Sequence, residues 1–452
     1  MPQTIEKPPT IHASKKSSTL QGDFRYSVAG AQVPWAAVGE TFRADDAVEV
    51  LKFLFPSVGE NGEYARIVED LRADCEKLAD VGRPATKLTL GKQVEMAEEM
   101  ARDRLGVKYA SFTSNWTAGM ETAYKLAGVG PGDEVIVPPL TFIATVAYPL
   151  MIGARVVFAD IDPNTLGLDP ADVERKITPR TRMIVPVHVG GYACDMDPIM
   201  ALAESRDIMV MEDAAHALGA TYKHRPLGTI GHFGGYSFHE VKNINSFGEG
   251  GLLVSNHDLG QQFARARFLG LNFGKQIPDW LYDVSALEDR YGNPQVPNNS
   301  SATEIQALGF RLQYERLDGI LAIRKRSAQI LREAFADESA IILPPADTEE
   351  TASSHHLFPL RIATNAICGD IRTVKAGLKE KGVTEIAHFG PLYHFEILRQ
   401  LGYDTASGAA SCPQTEAMFR HGYTHLPLYP LEDEQVSYMA EAVLDTVRKL
   451  KR

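Results

Sequence analysis

Beyond residue 88 the chain alternates short apolar runs with longer stretches in which apolar residues recur every three or four positions. The run Ile208, Met209, Val210, Met211 has no internal glycine or proline and suits a strand buried on both faces. Further strand signals fall at 134–137, 155–159, 183–187, 236–238 and 252–255. Helical periods lie between them. Val94, Met96, Ala97, Met100 and Leu105 make one amphipathic face, a helix begins near Phe142, and a basic helix covers 263–268. Strand, helix, strand in repetition predicts an α/β fold with a mostly parallel sheet and right-handed crossovers. After a loop-rich segment at 271–302 a long helix is expected over 303–336. A strand near 357–362 and helices at 370–381 and 433–450 then suit a smaller α+β domain. The predicted organisation is therefore an arm and helical extension over 1–87, a large domain over 88–320 and a C-terminal domain over 321–452. Within the extension, 1–24 is polar and reads as a flexible arm. Ala47, Val48, Val50, Leu51 and Leu54 carry a helical period ahead of a glycine-rich break at 58–62.

Composition narrows the function more than the fold. A chain of 452 residues is too long for one simple core, and 44% hydrophobic with 23% charged residues is an ordinary globular balance. A net charge of -12 argues against a nucleic-acid partner, while leaving room for a local basic pocket that takes a diphosphate. The four cysteines, at 75, 194, 368 and 412, have no metal-binding spacing and read as reduced thiols. No metal site is expected. The stretch 148–159 contains Arg155 and is too short to cross a bilayer, and the N-terminus lacks an apolar leader core. No membrane association is expected, and the cytoplasm is the default location.

Candidate chemistry concentrates in 212–251. Asp213 falls at the C-terminal end of the 208–211 strand, the edge at which open α/β sheets bind ligands. Lys242 follows the next short strand in a polar, glycine-flanked loop. An acid and a lysine so placed suit pyridoxal phosphate, which needs a lysine to hold it as a Schiff base and a carboxylate against its pyridine nitrogen. The alternative is that Asp213 caps a helix starting at Ala214 and Lys242 is a solvated loop residue. His188, just past a strand end, is either turned to the site or a satisfied structural histidine. Thr117 stands at the start of a helix, where free backbone amides and its hydroxyl suit an anion, although by itself the same cluster reads as an N-cap. GTIGHFGG precedes a strand and does not match GxGxxG, which removes a dinucleotide site.

The segments EDAAHALGATY, GTIGHFGGYSFHEVKN and GEGG closely resemble the DegT-type (DegT/DnrJ/EryC/StrS) sugar aminotransferases, most of all those that aminate 4-keto nucleotide sugars. That resemblance implies a fold type I pyridoxal phosphate enzyme, with Lys242 holding the cofactor and Asp213 on its ring nitrogen. It also implies His216 beside the phenolic oxygen, Ser237, Thr117 and Ala118 on the phosphate, and the Phe142 ring stacked on the pyridine. Asn299 would reach the phosphate of a neighbouring subunit, which makes the enzyme a homodimer with shared active sites. His388 and Tyr393 would face the substrate. Two residues depart from the family pattern: Trp116 replaces a small residue before Thr117, and Ser301 replaces an arginine. The implied reaction is transamination from a donor such as glutamate to a keto group of a nucleotide-linked sugar. The rivals are a cyclitol or other ketone aminotransferase, a sugar dehydratase, and a non-catalytic pyridoxal-binding regulator. The dehydratases of this group carry histidine where this chain has Lys242.

Overall fold

Along Met209–Asp213 every residue is buried, and successive side chains enter two different cores. Val210 joins Phe112, Ile136, Ile184 and Leu252 on one face, whereas Met209 and Met211 join Val135, Met183 and Leu253 on the other. That alternation defines a sheet covered on both sides, as the uninterrupted apolar run predicts.

The computed structural model describes residues 42–82, 85, 87–272, 283–384, 390–428 and 430–452. The chain divides into two compact units, Met1–Leu88 and Thr89–Arg452. In the first, α1 (Ala44–Leu54) and α2 (Gly62–Val81) pack together. They are tied by an Arg72–Asp45 ion pair and by the Tyr64 hydroxyl donating to the Phe55 carbonyl at 2.8 Å. The expected arm at 1–24 lies outside the described residues.

The second unit opens with α3 (Lys92–Leu105), whose first amides are capped from a distance: the Glu304 carboxylate accepts from Gly91 N and Gln93 N, both at 2.8 Å. The elements that follow are β1 (Tyr109–Thr113), α4 (Trp116–Leu126), β2 (Glu134–Val137), α5 (Ala144–Ile152), β3 (Arg155–Phe158), α6 (Pro170–Lys176), β4 (Thr181–Ile184), α7 (Met196–Ser205), β5 (Met209–Asp213), β6 (Phe233–Ser237) and β7 (Gly251–Ser255). They form a seven-stranded sheet in the order β1, β7, β6, β5, β4, β2, β3, in which β7 alone runs antiparallel to its neighbours. The strand expected over 183–187 ends earlier. Pro186 has no N–H for the ladder, so beyond Ile184 only a bridge from Val187 to Asp213 continues the pairing. No helix follows Asp213, and the helix-capping alternative for that residue is set aside.

The single long helix expected over 303–336 is two, α8 (Glu304–Tyr314) and α9 (Leu317–Phe335). The break falls where burial changes partner. Ala307, Phe310 and Tyr314 pack in the core of the sheet, whereas Leu331 and Phe335 pack in a separate C-terminal core. That core covers a three-stranded antiparallel sheet, β8 (Ile341–Ile342), β9 (Phe358–Ile362) and β10 (Tyr423–Leu426), and takes residues from α10 (Ile371–Glu380) and α11 (Asp433–Leu450). Among the described residues no helix is long and apolar enough to cross a membrane.

Candidate active site

The carboxyl ends of β2, β4, β5 and β6 open onto one cavity of about 540 Å³, lined among others by Asn115, Thr117, Thr141, Phe142, Asp213, His216, Ser237 and Lys242. Thr117, Phe142, Asp213, His216, Ser237 and Lys242, all singled out from the sequence, thus meet at one place, where an α/β sheet binds its ligands.

Asp213 is the best-held group there. Its Oδ1 accepts from Trp116 Nε1 at 2.9 Å and from Ala215 N at 3.2 Å, and its Oδ2 accepts from the Thr145 hydroxyl at 2.7 Å. Because Thr145 gives its one hydroxyl proton to Asp213, the 2.8 Å contact between Thr141 and Thr145 runs from Thr141 to Thr145. A carboxylate has about four acceptor positions, so three are filled and one on Oδ2 is left.

Lys242 differs in every respect. Among the described residues its Nζ has no hydrogen bond or ion pair, and burial pushes the amine down from 10.5 to about 8 despite the opposing pull of Asp213. It is the one lysine among the described residues that line the cavity.

His216 takes its orientation from the backbone. Gly190 N, in a left-handed residue at φ 66°, donates to His216 Nδ1 at 3.2 Å, which puts the ring proton on Nε2. The ring also packs on His356, with centroids 4.4 Å apart. Ser237 ends β6, and its hydroxyl oxygen accepts from His239 N at 3.3 Å. Phe142 stands at the cavity with 53% of its surface exposed, a flat ring at the place where the resemblance puts the stacking partner.

At the start of α4 the cap and the anion site are divided between residues. The Asn115 side chain accepts from Ala118 N at 2.9 Å, so that amide serves the cap, and Ala118 is not among the lining residues. Thr117 lines the cavity, and among the described residues its N–H and hydroxyl have no partner. Gly251 lets the strand pass this turn, since a Cβ there would lie 2.3 Å from the Asn115 carbonyl carbon.

Three expectations part from the cavity. His188 is fully buried on the other side of its strand end; Val187 and Val189 line the cavity and the residue between them points away. Its Nδ1 accepts from Cys194 N at 3.2 Å and its Nε2 donates to Glu212 at 3.0 Å, so the buried ring is held on both sides in a structural role. Tyr393 is buried elsewhere, its ring edge-on to Phe158 at 5.5 Å in a different cavity beside Arg155 and Tyr403. Asn299 is exposed and outside this cavity, with its amide oxygen held by the Ser301 hydroxyl at 2.7 Å, so Ser301 orients the side chain that precedes it. His388 lies outside the described residues.

Thr141, Thr145, His239 and Glu249 also line the cavity and are not among the residues the sequence singled out. For the two threonines a signal was available: they stand four apart around the start of α5, a spacing that puts both on one face of a helical turn. Glu212 is a further omission. Its buried carboxylate accepts from Gly228 N, Ile230 N and Gly231 N at 2.8, 2.5 and 2.6 Å besides His188. Glu212 thereby pins the loop under the strand that presents Asp213. Replacing Glu212 by Ala strands these donors and is expected to cost roughly 3–5 kcal/mol of stability, read from the denaturant midpoint. An unchanged midpoint contradicts that role.

The donor set fits pyridoxal phosphate. An unpartnered, easily deprotonated lysine, an acid with one acceptor position left, a flat ring at the opening and free donors on Thr117 at a helix N-terminus are what that molecule needs. Among the described residues no group of three or more potential metal ligands occurs.

The chain is similar to known proteins over most of its length. A model of the DegT/DnrJ/EryC1/StrS aminotransferase family matches residues 69–444. The spore coat polysaccharide biosynthesis protein SpsC of Bacillus subtilis is 33% identical over 376 residues, 80% of this chain and 91% of that protein. GDP-perosamine synthase of Caulobacter vibrioides is 39% identical over 239 residues, 53% of this chain and 60% of that enzyme. The structure of the putative sugar aminotransferase Spr1654 from Streptococcus pneumoniae, in its PMP form, superposes with a TM-score of 0.71 at 27% identity, covering 87% of this chain and 98% of the other. With Lys242 and Asp213 at one sheet edge and the family match spanning most of its length, the chain belongs to the DegT/DnrJ/EryC1/StrS aminotransferase family and is a pyridoxal-phosphate-dependent transaminase of fold type I.

Proposed function

We propose that this enzyme moves an amino group from an amino acid, glutamate, to a keto group of a nucleotide-linked sugar, acting as a cytoplasmic homodimer. The observation that carries the reading is Lys242: a cavity amine with no partner among the described residues, held at about 8, beside an acid fixed on three sides. The likeness to GDP-perosamine synthase supports a nucleotide sugar as the acceptor.

Bound pyridoxal phosphate supplies an electron sink for the carbon that carries the nitrogen. The protein supplies the rest. Lys242 holds the cofactor and, when released, is the amine that takes a proton from the substrate carbon and returns it, since a group near 8 accepts and gives protons close to neutral pH. Asp213 offers its remaining Oδ2 position to the ring nitrogen. Thr117 and Ser237 take the phosphate at the helix N-terminus and the β6 end, with the Ala118 amide behind them in the cap. Phe142 covers a face of the ring and keeps water out. His216, with its proton on Nε2, bonds the phenolic oxygen. Asn299, exposed outside its own cavity, completes the phosphate site of the second subunit. Substrate contacts from His388 belong to the same proposal. Those from His188 and Tyr393 do not, because both side chains lie outside the cavity.

The test is product identification. Purified enzyme with glutamate and a panel of keto nucleotide sugars and keto cyclitols is analysed by mass spectrometry. The expected product is an amino sugar nucleotide formed with stoichiometric 2-oxoglutarate. Amination of a cyclitol alone, or loss of water without nitrogen transfer, contradicts the reading.

A further inference from the structure

Trp116 is one of the two residues that depart from the family pattern, and although it lines the cavity beside Thr117 its side chain is packed inward. As the first residue of α4 it is 3% exposed, with its indole laid over two glycines. A Cβ on Gly119 would come within 2.8 Å of that ring, and one on Gly235 within 2.2 Å. Gly235 is the β6 partner of Asp213 itself, so the slot leads directly to the acid. At its end Nε1 donates to Asp213 Oδ1 at 2.9 Å.

We infer that Trp116 is a positioning residue for the cofactor site: with Thr145 it anchors both oxygens of Asp213 and leaves one Oδ2 acceptor position for the ring nitrogen. The inference rests on the reading of Asp213 as the ring-nitrogen partner. The reasons are geometric. A carboxylate on a short side chain rotates about two bonds, and a buried indole is a donor with no acceptor function, so this contact fixes the acid without competing for a proton. Neither glycine has a positive φ that would demand it. Gly235 is also crowded by the Leu252 carbonyl, whereas at Gly119 the indole alone comes closer than 3.5 Å.

The test separates ring from donor. Trp116→Phe keeps the aromatic filling of the slot and removes the N–H. The expected result is a fall in kcat of about tenfold with the KM for the amino donor unchanged, and pyridoxal phosphate held about tenfold more weakly, the scale of one hydrogen bond to a charged group. A readout on the cofactor-free protein accompanies it. The chain has three tryptophans, so in protein labelled with 15N-tryptophan the Trp116 indole resonance is assigned by elimination with Trp35→Phe and Trp280→Phe. That resonance is expected to move in Asp213→Asn, which alters the acceptor and leaves the indole in place. A Trp116→Phe protein with wild-type kcat and cofactor affinity overturns the inference while the cofactor reading stands. A Trp116 resonance indifferent to Asp213→Asn overturns it too, even where Trp116→Phe fails to fold. Absence of cofactor binding in both wild type and variant overturns the inference together with the reading beneath it.

Discussion

Lys242→Ala is expected to abolish amino transfer, with a loss beyond the reach of any other single change in the cavity. Among the described residues no second lysine lines the cavity to take over the attachment or the proton transfer. The loss is chemical and not structural. Burial lowers the Lys242 amine to about 8, so the folded state disfavours its charged form, and the residue destabilises the protein wherever the amine is protonated both folded and unfolded. The cost is fully present below about 8 and fades as pH rises towards the unfolded value of 10.5. Lys242→Met, which keeps the stem and removes the charge, is therefore expected to be more stable than wild type at pH 7, by on the order of 2–3 kcal/mol, a gain that shrinks as pH rises from about 8 to 10.5. Cofactor-free proteins compared by thermal or denaturant unfolding at about pH 7 and about pH 10 check the sign. A variant that loses both activity and stability near neutral pH contradicts this role for Lys242.

The second large effect is expected at Asp213. Asp213→Asn should lower turnover about a thousandfold or more, roughly 4 kcal/mol in the barrier, because a neutral amide cannot hold a protonated ring nitrogen. The shape survives the change. The Asn carbonyl can accept from Trp116 Nε1, and the Thr145 hydroxyl can turn to accept from the amide, so little stability is expected to go. Asp213→Ala is the harsher variant: it leaves the buried Trp116 N–H and Thr145 hydroxyl without acceptors, at roughly 1–3 kcal/mol each. Turnover and unfolding measured on both variants separate the two effects. Wild-type turnover in the Asn variant contradicts the assignment of Asp213 to the ring nitrogen.

What is legible in the sequence is whatever depends on position along an element. Short apolar runs mark the parallel strands, and the end of the 208–211 run places Asp213 at the carboxyl edge on pattern alone, whereas Ser237 reads as the middle of a 236–238 run and instead ends the strand Phe233–Ser237. What stays hidden depends on side-chain direction and on distant partners. His188 and Val187 are neighbours at one strand end, and the period of two sends one into the cavity and the other against Glu212. Trp116 reads as an obstacle at the phosphate because nothing local reveals that Gly119 and Gly235, one on the same helix and one on a strand far along the chain, clear a slot to Asp213. The break between α8 and α9 has no proline to announce it; it follows from a change of core, a tertiary fact. Ser301 reads as a lost arginine, and its hydroxyl instead holds the side chain of Asn299.

Everything proposed for this cavity depends on Lys242 holding the cofactor there. The most direct measurement is to load the purified protein with pyridoxal phosphate, treat it with borohydride so that the cofactor is fixed to the amine that carries it, digest, and map the mass addition by peptide sequencing. The predicted result is one modified residue, Lys242, at close to one equivalent per chain. A mark on another lysine, or none on Lys242, contradicts it.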